Sequence, residues 1–276
     1  MNMKNITNIT VIKFGGEIVE SKEQLNNLAL SIKKLHQQGE NIVLIHGGGP
    51  QATKLSTRLG LTAKMVGGRR VTCAETLDVM KMTLPGIINS NILSIFKAHG
   101  LPAVSASGIN IVNAKKRPPK AVSGSNGEVV DFGFVGDIVS IDTTIIDHLL
   151  SGKFIPVISP LSADQEGQIL NINADTVAVQ ITKKLKAEKF VLVTEVGGVY
   201  QNLDDKNSKF TTLTMADAKK KIADGIIQGG MIPKLEESFT LLEDQLHSFH
   251  IVGLQQSDSI LQEIKRPGSM GTAVVR

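Results

Sequence analysis

The sequence predicts an α/β protein with an open, mainly parallel sheet, helices on both faces and an inserted β-hairpin. Short β-branched apolar runs alternate with longer amphipathic segments, which is the pattern of parallel strands connected by helices. Glycine clusters follow several of the apolar runs. Between Ile109 and Ile141 the alternation stops, and two extended segments flank a polar, glycine-containing turn, Ser123 to Gly127. This change of pattern indicates a hairpin.

The individual elements follow from apolar periodicity and from the residues that begin and end helices. The predicted strands lie within residues 9–15, 41–47, 101–107, 109–119, 127–142, 154–160, 189–196, 247–253 and 271–276. The predicted helices cover residues 21–38, 50–60, 74–99, 143–151, 174–185, 213–225 and 230–245, with a short helix before the last strand. Pro85 and Gly86 predict a kink or interruption in the helix 74–99, because proline lacks the backbone N–H.

Composition restricts the class of protein. The 276 residues are 41% hydrophobic and 20% charged, and the net charge is +4. The chain has no Trp and one Tyr, so it offers little stacking surface for nucleic acid. Cys73 is the single cysteine, which rules out a disulfide framework within the chain, and we expect it in the core. The first ten residues lack the apolar core of a secretion signal and no apolar run is long enough to span a bilayer, so we expect a cytoplasmic protein.

Three glycine-rich segments, KFGG, HGGG and TEVGG, each follow a predicted strand. The carboxyl ends of strands in an open α/β sheet are where ligands gather, and free N–H groups at helix starts favour anions. Tight turns alone would also explain any single cluster. Gly47, Gly49 and Ala52 fit a dinucleotide-binding pattern, but the segment LTAKMVGG lacks the acidic residue that would contact the ribose. The sequence therefore favours an extended anionic ligand, such as a nucleoside triphosphate beside an acidic acceptor, over a dehydrogenase cofactor.

Polar residues stand out near these segments. Lys13 lies in a strand that should be buried, where an unpaired ammonium is costly, so it needs an anion. Arg70 can hold a carboxylate with its planar guanidinium. Asn171 precedes a helix, and Asp175 lies in the first turn of that helix, where an acid also complements the helix dipole. Lys234 occupies an unfavourable place for a cation, a helix start, which indicates a nearby anion.

Seven motifs together resemble the amino acid kinase family. They are KFGGE, HGGGPQ, GGRRVT, GFVGDIVSID, NINADTVA, VLVTEVGGVY and GGMIPKLE, in that order, and the resemblance extends from about Thr10 to the terminal GTAV. It is strongest to the members of arginine biosynthesis that use ATP to phosphorylate the side-chain carboxylate of N-acetyl-L-glutamate. The resemblance implies this reaction, with Mg²⁺ accompanying ATP and no metal ligands assigned to the protein. It also implies one domain, with residues 1–180 binding the acceptor and mediating dimerisation and residues 181–276 binding ATP.

The resemblance also implies roles for individual residues. Lys13 and Lys234 would contact the phosphoryl group in flight, and Asp175 would hold both lysines. The acceptor would be bound by the residues Gly48, Gly49, Arg70 and Asn171, the two glycines acting through their backbone N–H groups, with the hairpin lying over it. The nucleotide would be bound by Gly16, Glu195, Val196, Gly197, Gly198, Val199, Tyr200, Ile226, Ile227 and Gln228. Because a carboxylate acceptor is already ionised near pH 7, no general base is expected, and the sequence shows no obvious pair of histidine and acid.

Two departures from the family leave alternatives open. Glu195 stands where the family commonly has Asp, which affects contacts on the adenine side. Pro85 stands where relatives carry a small residue other than proline, so an N-succinyl group or another acylated amino acid is an alternative acceptor. Kinases of the same fold that act on carbamate, UMP, aspartate or aminoadipate are further alternatives, as is an inactive sensor of amino acids or nucleotides. Because the first strand begins near residue 9, without the extra N-terminal helix of arginine-inhibited relatives, we expect a homodimer that is insensitive to arginine.

Overall fold

The computed structural model describes residues 6–67, 69–122, 125 and 127–276. Residues 123, 124 and 126 of the predicted turn therefore lie outside the described residues. The strands, in chain order, are β1 (Ile9–Phe14), β2 (Asn41–His46), β3 (Met65–Val66), β4 (Arg69–Arg70), β5 (Ala103–Ser107), β6 (Val112–Lys116), β7 (Lys120–Ala121), β8 (Val129–Val130), β9 (Gly136–Ile141), β10 (Ile155–Ser159), β11 (Leu161–Ala163), β12 (Ile169–Asn171), β13 (Lys189–Val193), β14 (Thr212–Thr214), β15 (Ser248–Val252) and β16 (Gly271–Val275).

The helices lie in the segments that the periodicity predicted, except for the short α1, which the sequence analysis missed. In chain order they are α1 (Gly16–Glu20), α2 (Lys22–Gln37), α3 (Gly49–Arg58), α4 (Ala74–Lys81), α5 (Asn89–Ala98), α6 (Thr144–Ser151), α7 (Ala174–Leu185), α8 (Met215–Ala223), α9 (Met231–Asp244) and α10 (Ser259–Lys265). No helix in the described ranges combines the length and apolar character needed to cross a membrane.

The main sheet has eight strands in the order β14-β16-β15-β13-β1-β2-β10-β5. The six strands from β15 to β5 are parallel to one another. β16 pairs antiparallel with β15, and β14 runs parallel to β16. This arrangement confirms the predicted open, mainly parallel sheet.

Helices cover both faces of the sheet and enclose two apolar cores. Successive side chains of β1 alternate between these cores: Val11 packs with the α7 side, whereas Ile12 packs with the α2 side. Lys13 therefore points to the same side as Val11, toward α7. The alternation of one buried strand thus sets which helix its single charged residue meets.

The predicted hairpin is present. β6 pairs antiparallel with β9, and β7 pairs antiparallel with β8. β6 and β9 also belong to a second sheet with β11 and β12, a short antiparallel pair that the sequence pattern did not predict. The middle of the hairpin, between its two paired regions, is fixed to the residue Thr72, whose N–H donates to the carbonyl of Phe132 and whose carbonyl accepts from the N–H of Phe134.

The helix predicted over residues 74–99 is interrupted as expected. A π-helical segment, Met82–Ile88, separates α4 from α5 and contains Pro85. Proline cannot donate to a carbonyl of the preceding turn, and its ring crowds that carbonyl, so the wider turn accommodates it. Leu84 and Ile88 of this segment are buried.

The prediction for Cys73 was wrong. This residue is exposed at the start of α4, and its Sγ lies 3.2 Å from Thr76 Oγ1. A polar helix start, rather than core packing, decides its environment. The short strands β3, β4 and β14 were also missed, because two or three residues are too few to show a periodicity.

Candidate active site

The three glycine loops leave the sheet side by side. β13, β1 and β2 are adjacent, and Phe14 at the end of β1 lies opposite both His46 and Val193. The first two loops pack together so closely that a side chain at Gly16 would overlap Gln51 and approach the backbone of Gly48. The absence of a side chain therefore has a steric reason. The register brings KFGG, HGGG and TEVGG to one edge, as the sequence predicted.

Lys13, Asp175 and Lys234 form a charge cluster at this edge. Lys13 Nζ lies 2.6 Å from Asp175 Oδ1, and Lys234 Nζ lies 3.6 Å from Asp175 Oδ2. The two carboxylate oxygens thus face different lysines. Lys13 and Asp175 are each only 5% exposed, whereas Lys234 is half-buried and also lies 3.4 Å from the carbonyl oxygen of Gly230. The structure brings together the three residues that were predicted to be catalytic.

The electrostatics of the cluster keep Asp175 ionised. Burial alone would raise the pKa of this carboxyl, but the charges of Lys13 and Lys234 and their hydrogen bonds hold the pKa below its usual range. Asn173 caps α7 by accepting a hydrogen bond from the N–H of Asp175 at 3.0 Å, which fixes the backbone of this residue. The cluster carries a net charge of +1 and is suited to an anion.

Gly48 and Gly49 begin α3. Gly48 is the N-cap residue, and a side chain there would overlap Leu84 and Ile88 of the π-helical segment. The N-terminal N–H groups of α3 have no carbonyl partner within the helix, so this end of the helix favours an anion. The apolar residues Leu84 and Ile88 form a wall beside it.

Arg70 is the cation next to this helix start. Its Nη2 donates to the carbonyl of Gly49 at 3.1 Å and to Thr53 Oγ1 at 2.7 Å. Its Nη1 is buried and has no hydrogen-bond partner in the described part of the chain. Burial also lowers the pKa of Arg70 from its ordinary value. A half-buried guanidinium with a free edge is suited to a carboxylate ligand.

Asn171 lies at the end of β12 and is tied to the same region. Its Nδ2 donates to Thr72 Oγ1 at 3.3 Å, and its N–H donates to the carbonyl of Phe134 in the hairpin at 2.9 Å. The segment 70–72, the hairpin and the strand before α7 therefore meet around Asn171. The residues that the family resemblance assigned to the acceptor, Arg70 and Asn171, thus lie in one region.

A cavity of about 940 Å³ opens beside Lys234. Most of the predicted nucleotide-binding residues line it, namely Glu195, Val196, Gly198, Val199, Tyr200, Ile226, Ile227 and Gln228. Gly197 and Gly16 do not line it. Gly197 is buried with φ +76° and donates its N–H to Thr194 Oγ1 at 3.0 Å, so it shapes the loop from behind. The size of the cavity is that of a small-molecule site.

Sequence reasoning missed several residues of this region. Glu17, Thr194, Gly229, Gly230 and Met231 also line the cavity. Glu17 belongs to the quoted motif KFGGE, so its position beside two glycines was the signal that could have found it.

The structure also contains a histidine–acid pair, which the sequence did not indicate. His250 Nδ1 lies 2.9 Å from Glu263 Oε1, and both side chains are buried. The pair lies outside the residues that line the cavity and outside the charge cluster. This pair is therefore not placed to act as a general base in the candidate site.

The fold and the site define an α/β protein whose adjacent strand ends and paired lysines are suited to a large anionic ligand. The model of the amino acid kinase family matches residues 8–253, and the chain belongs to that family. An acetylglutamate kinase from an Anaeromyxobacter species is 40% identical over 267 residues, which cover 96% of this chain and 98% of that relative.

Solved structures agree on the fold. A Streptococcus mutans protein has a TM-score of 0.78 and 26% identity over 98% of this chain and 99% of its own. Carbamate kinase from Giardia lamblia bound to AMP-PNP has a TM-score of 0.68 at 16% identity, covering 99% of this chain and 100% of its own, and so supports the fold alone.

Proposed function

We propose that the chain uses ATP to phosphorylate the side-chain carboxylate of N-acetyl-L-glutamate, giving an acyl phosphate in arginine biosynthesis. The observation that carries this proposal is the charge cluster: Lys234 lines the cavity, and Asp175 links it to Lys13 beside the glycine loops. A near full-length relative named acetylglutamate kinase supports the choice of acceptor.

The two substrates would approach the cluster from different sides. The cavity formed by the loops 195–200 and 226–228 would hold ATP, and the region of Gly48, Gly49, Arg70 and Asn171 would hold the acceptor. Residues 1–180 would then supply the acceptor side and residues 181–276 the nucleotide side. The free Nη1 of Arg70 would take the α-carboxylate, and the apolar wall of Leu84 and Ile88 would lie near the start of α3, where the reacting carboxylate binds.

The charge cluster would then compensate the charge of the phosphoryl group in flight. Phosphoryl transfer depends on in-line positioning and on neutralising charge on the equatorial oxygens. Lys13 is held in the sheet and Lys234 in the first turn of α9, so two rigid elements place the two ammonium groups. Asp175 orients both lysines and reduces their mutual repulsion. The acceptor is ionised near pH 7, so the chemistry proceeds without a general base.

We infer that Mg²⁺ accompanies ATP. In the described ranges no three His, Cys, Asp or Glu residues cluster as a metal site. Mg²⁺ in kinases is commonly held by substrate phosphates with one or two carboxylates, and Glu17 and Glu195 line the cavity as candidate oxygen ligands. When bound, Mg²⁺ supplies further positive charge at the phosphates.

The test is an acceptor panel with purified protein, ATP and Mg²⁺. ADP release and trapping of the acyl phosphate with hydroxylamine would be measured with N-acetyl-L-glutamate, N-succinyl-L-glutamate, L-glutamate and carbamate. We expect N-acetyl-L-glutamate to give the highest kcat/KM, and the Lys13→Met variant to lose the activity as a control for contaminating kinases. A preference for N-succinyl-L-glutamate would replace the acetyl group in the proposal, and no turnover with any acylated amino acid would refute it.

We also infer a cytoplasmic homodimer that is insensitive to arginine. Met82 and Ile87 on the π-helical segment are apolar and half-exposed, and β5 is an edge strand of the main sheet. Light scattering coupled to size exclusion would distinguish a dimer from a hexamer. Inhibition by sub-millimolar arginine would contradict the inferred insensitivity.

A further inference from the structure

The charges around the candidate nucleotide cavity are unexpected for an anion site. Its charged lining residues are two carboxylates, Glu17 and Glu195, and one ammonium, Lys234, which gives a net charge of −1. A nucleoside triphosphate carries several negative charges, so this lining would repel the free nucleotide. A cation between the phosphates and one of the carboxylates removes the repulsion.

Glu17 is next in sequence to Gly16, the predicted nucleotide-binding residue of the KFGG segment. It lies in the first turn of α1, directly after KFGG, and its carboxylate folds back so that a side chain at Gly15 would overlap both of its oxygens. Glu195, by contrast, belongs to the loop that was assigned to the adenine side. The position of Glu17 against the loop makes it the better candidate for a contact through a phosphate-bound cation.

Glu17 also lacks a protein partner. Among the residues that the structure describes, no lysine, arginine or histidine pairs with it, and no hydrogen bond to its carboxylate is formed. Glu20, on the same short helix, differs because it forms an ion pair with Lys54 at 2.8 Å. The Glu17 carboxylate lines the cavity and is not enclosed by protein, so it is open to a cation that arrives with the nucleotide.

A second oxygen beside the same loop has no donor. Gln51 Nε2 donates to the carbonyl of Gly16 at 2.5 Å, which orients the amide, and its Oε1 is buried without a hydrogen-bond partner in the described chain. Mg²⁺ keeps several of its waters when it binds phosphates, and such waters are hydrogen-bond donors. Gln51 does not line the cavity, so the Glu17 carboxylate is the acceptor beside this loop that a hydrated cation in the cavity can meet, and the amide of Gln51 holds the loop behind it.

We propose that Glu17 is the protein carboxylate that holds the divalent cation accompanying the nucleotide. The inference rests on the proposed function, because it requires that the cavity binds ATP. It assigns to Glu17 a role in metal-dependent affinity for the nucleotide, and none to Glu20.

The proposal predicts opposite changes in two affinities. Binding of ATP without acceptor would be measured by calorimetry, once with excess Mg²⁺ and once with EDTA. For the wild-type protein we expect Mg²⁺ to tighten ATP binding at least about tenfold. Glu17→Gln should weaken binding with Mg²⁺ and tighten binding in EDTA, because it removes both a ligand and a repelling charge. The ratio of the two dissociation constants should then fall toward one.

Glu20→Gln is the matched control, since it removes the same charge from the same helix and should keep the wild-type ratio. Glu17→Asp, which keeps the charge on a shorter side chain, should give an intermediate ratio and provides a second variant if Glu17→Gln fails to fold. A wild-type ratio in Glu17→Gln would overturn the inference, and so would tighter binding under both conditions, which would make Glu17 a repulsive group only. Failure of wild-type ATP binding would instead refute the proposed function.

Discussion

Asp175 and Glu263 are both almost fully buried, but the groups around them differ. Asp175 faces two lysine side chains, at 2.6 and 3.6 Å. Glu263 accepts hydrogen bonds from His250 and from the backbone N–H groups of Gly268, Met270 and Gly271, at 2.7 to 2.9 Å. Fixed donors saturate Glu263 and leave nothing for a ligand. The lysines around Asp175 keep N–H groups that can still donate, and the cluster has a net positive charge. The buried carboxylate of Asp175 is therefore suited to ligand binding, whereas that of Glu263 is suited to stabilising the fold.

The largest expected effect separates activity from stability. Lys13→Met should lower kcat/KM about a thousandfold or more, because one of two charges facing the phosphoryl group is removed. Its free energy of unfolding should fall by no more than about 3 kcal/mol, because the buried Asp175 loses its nearer partner but keeps Lys234. Steady-state kinetics and urea unfolding measure the two quantities. The substitution Lys54→Met, at an exposed position, serves as the control. Retained turnover in Lys13→Met would contradict the functional role assigned to the buried charges around Asp175.

The second expected effect is a loss of stability with little change in activity. Glu263→Gln should lower the free energy of unfolding by about 3 kcal/mol, because three backbone donors and His250 lose a charged acceptor. Below its melting temperature the variant should keep kcat within a few-fold, since Glu263 lies outside the residues that line the cavity. Denaturant titration and initial rates at low temperature test this. A thousandfold loss of kcat in folded protein would show that Glu263 is not merely structural.

Acid should destabilise the protein in two steps. Burial lowers the pKa of His46 to about 4, against the opposing effect of its hydrogen bond with the carbonyl of Gly47. The unfolded state therefore binds the extra proton first, and the free energy of unfolding should fall by up to about 3 kcal/mol as the pH drops from about 6.5 to 4. The pKa of Glu263 is raised by burial but lowered more by its hydrogen bonds, so its contribution is lost only below about pH 4, near its unfolded pKa.

Urea unfolding across this pH range sharpens the comparison. His46→Gln should flatten the step between pH 6.5 and 4 and leave the lower step, whereas Glu263→Gln should weaken only the lower step. Equal slopes in all three proteins would contradict the assignment of both steps.

The smallest expected effect concerns the acceptor. Arg70→Lys should raise the KM for N-acetyl-L-glutamate about tenfold and leave the KM for ATP unchanged, because a lysine cannot contact Gly49, Thr53 and a carboxylate at once. Arg69→Lys at the exposed neighbouring position is the control. An equal change in both KM values would argue against an acceptor contact.

Much of this arrangement could be predicted from the sequence, because local rules decide it. The apolar neighbours of Lys13 predicted its burial, and the helix start at Ala174 placed Asp175 in a first turn. The rest depends on contacts between distant segments. The partners of Arg70 and of Glu263 come from other elements, and β11 and β12 are too short to show alternation. Cys73 was wrongly predicted to be buried, because the prediction considered its residue type and not its position at a helix start.

The alignment of Phe14, His46 and Val193 across three adjacent strands has a consequence for length variation among relatives. Adding or deleting one residue within β1 would turn Lys13 away from α7 and bury its ammonium among the side chains of the opposite core. We therefore expect relatives to lack insertions and deletions in these three strands. Length changes should occur instead at the hairpin tip, where they leave the strand pairing of the main sheet unchanged.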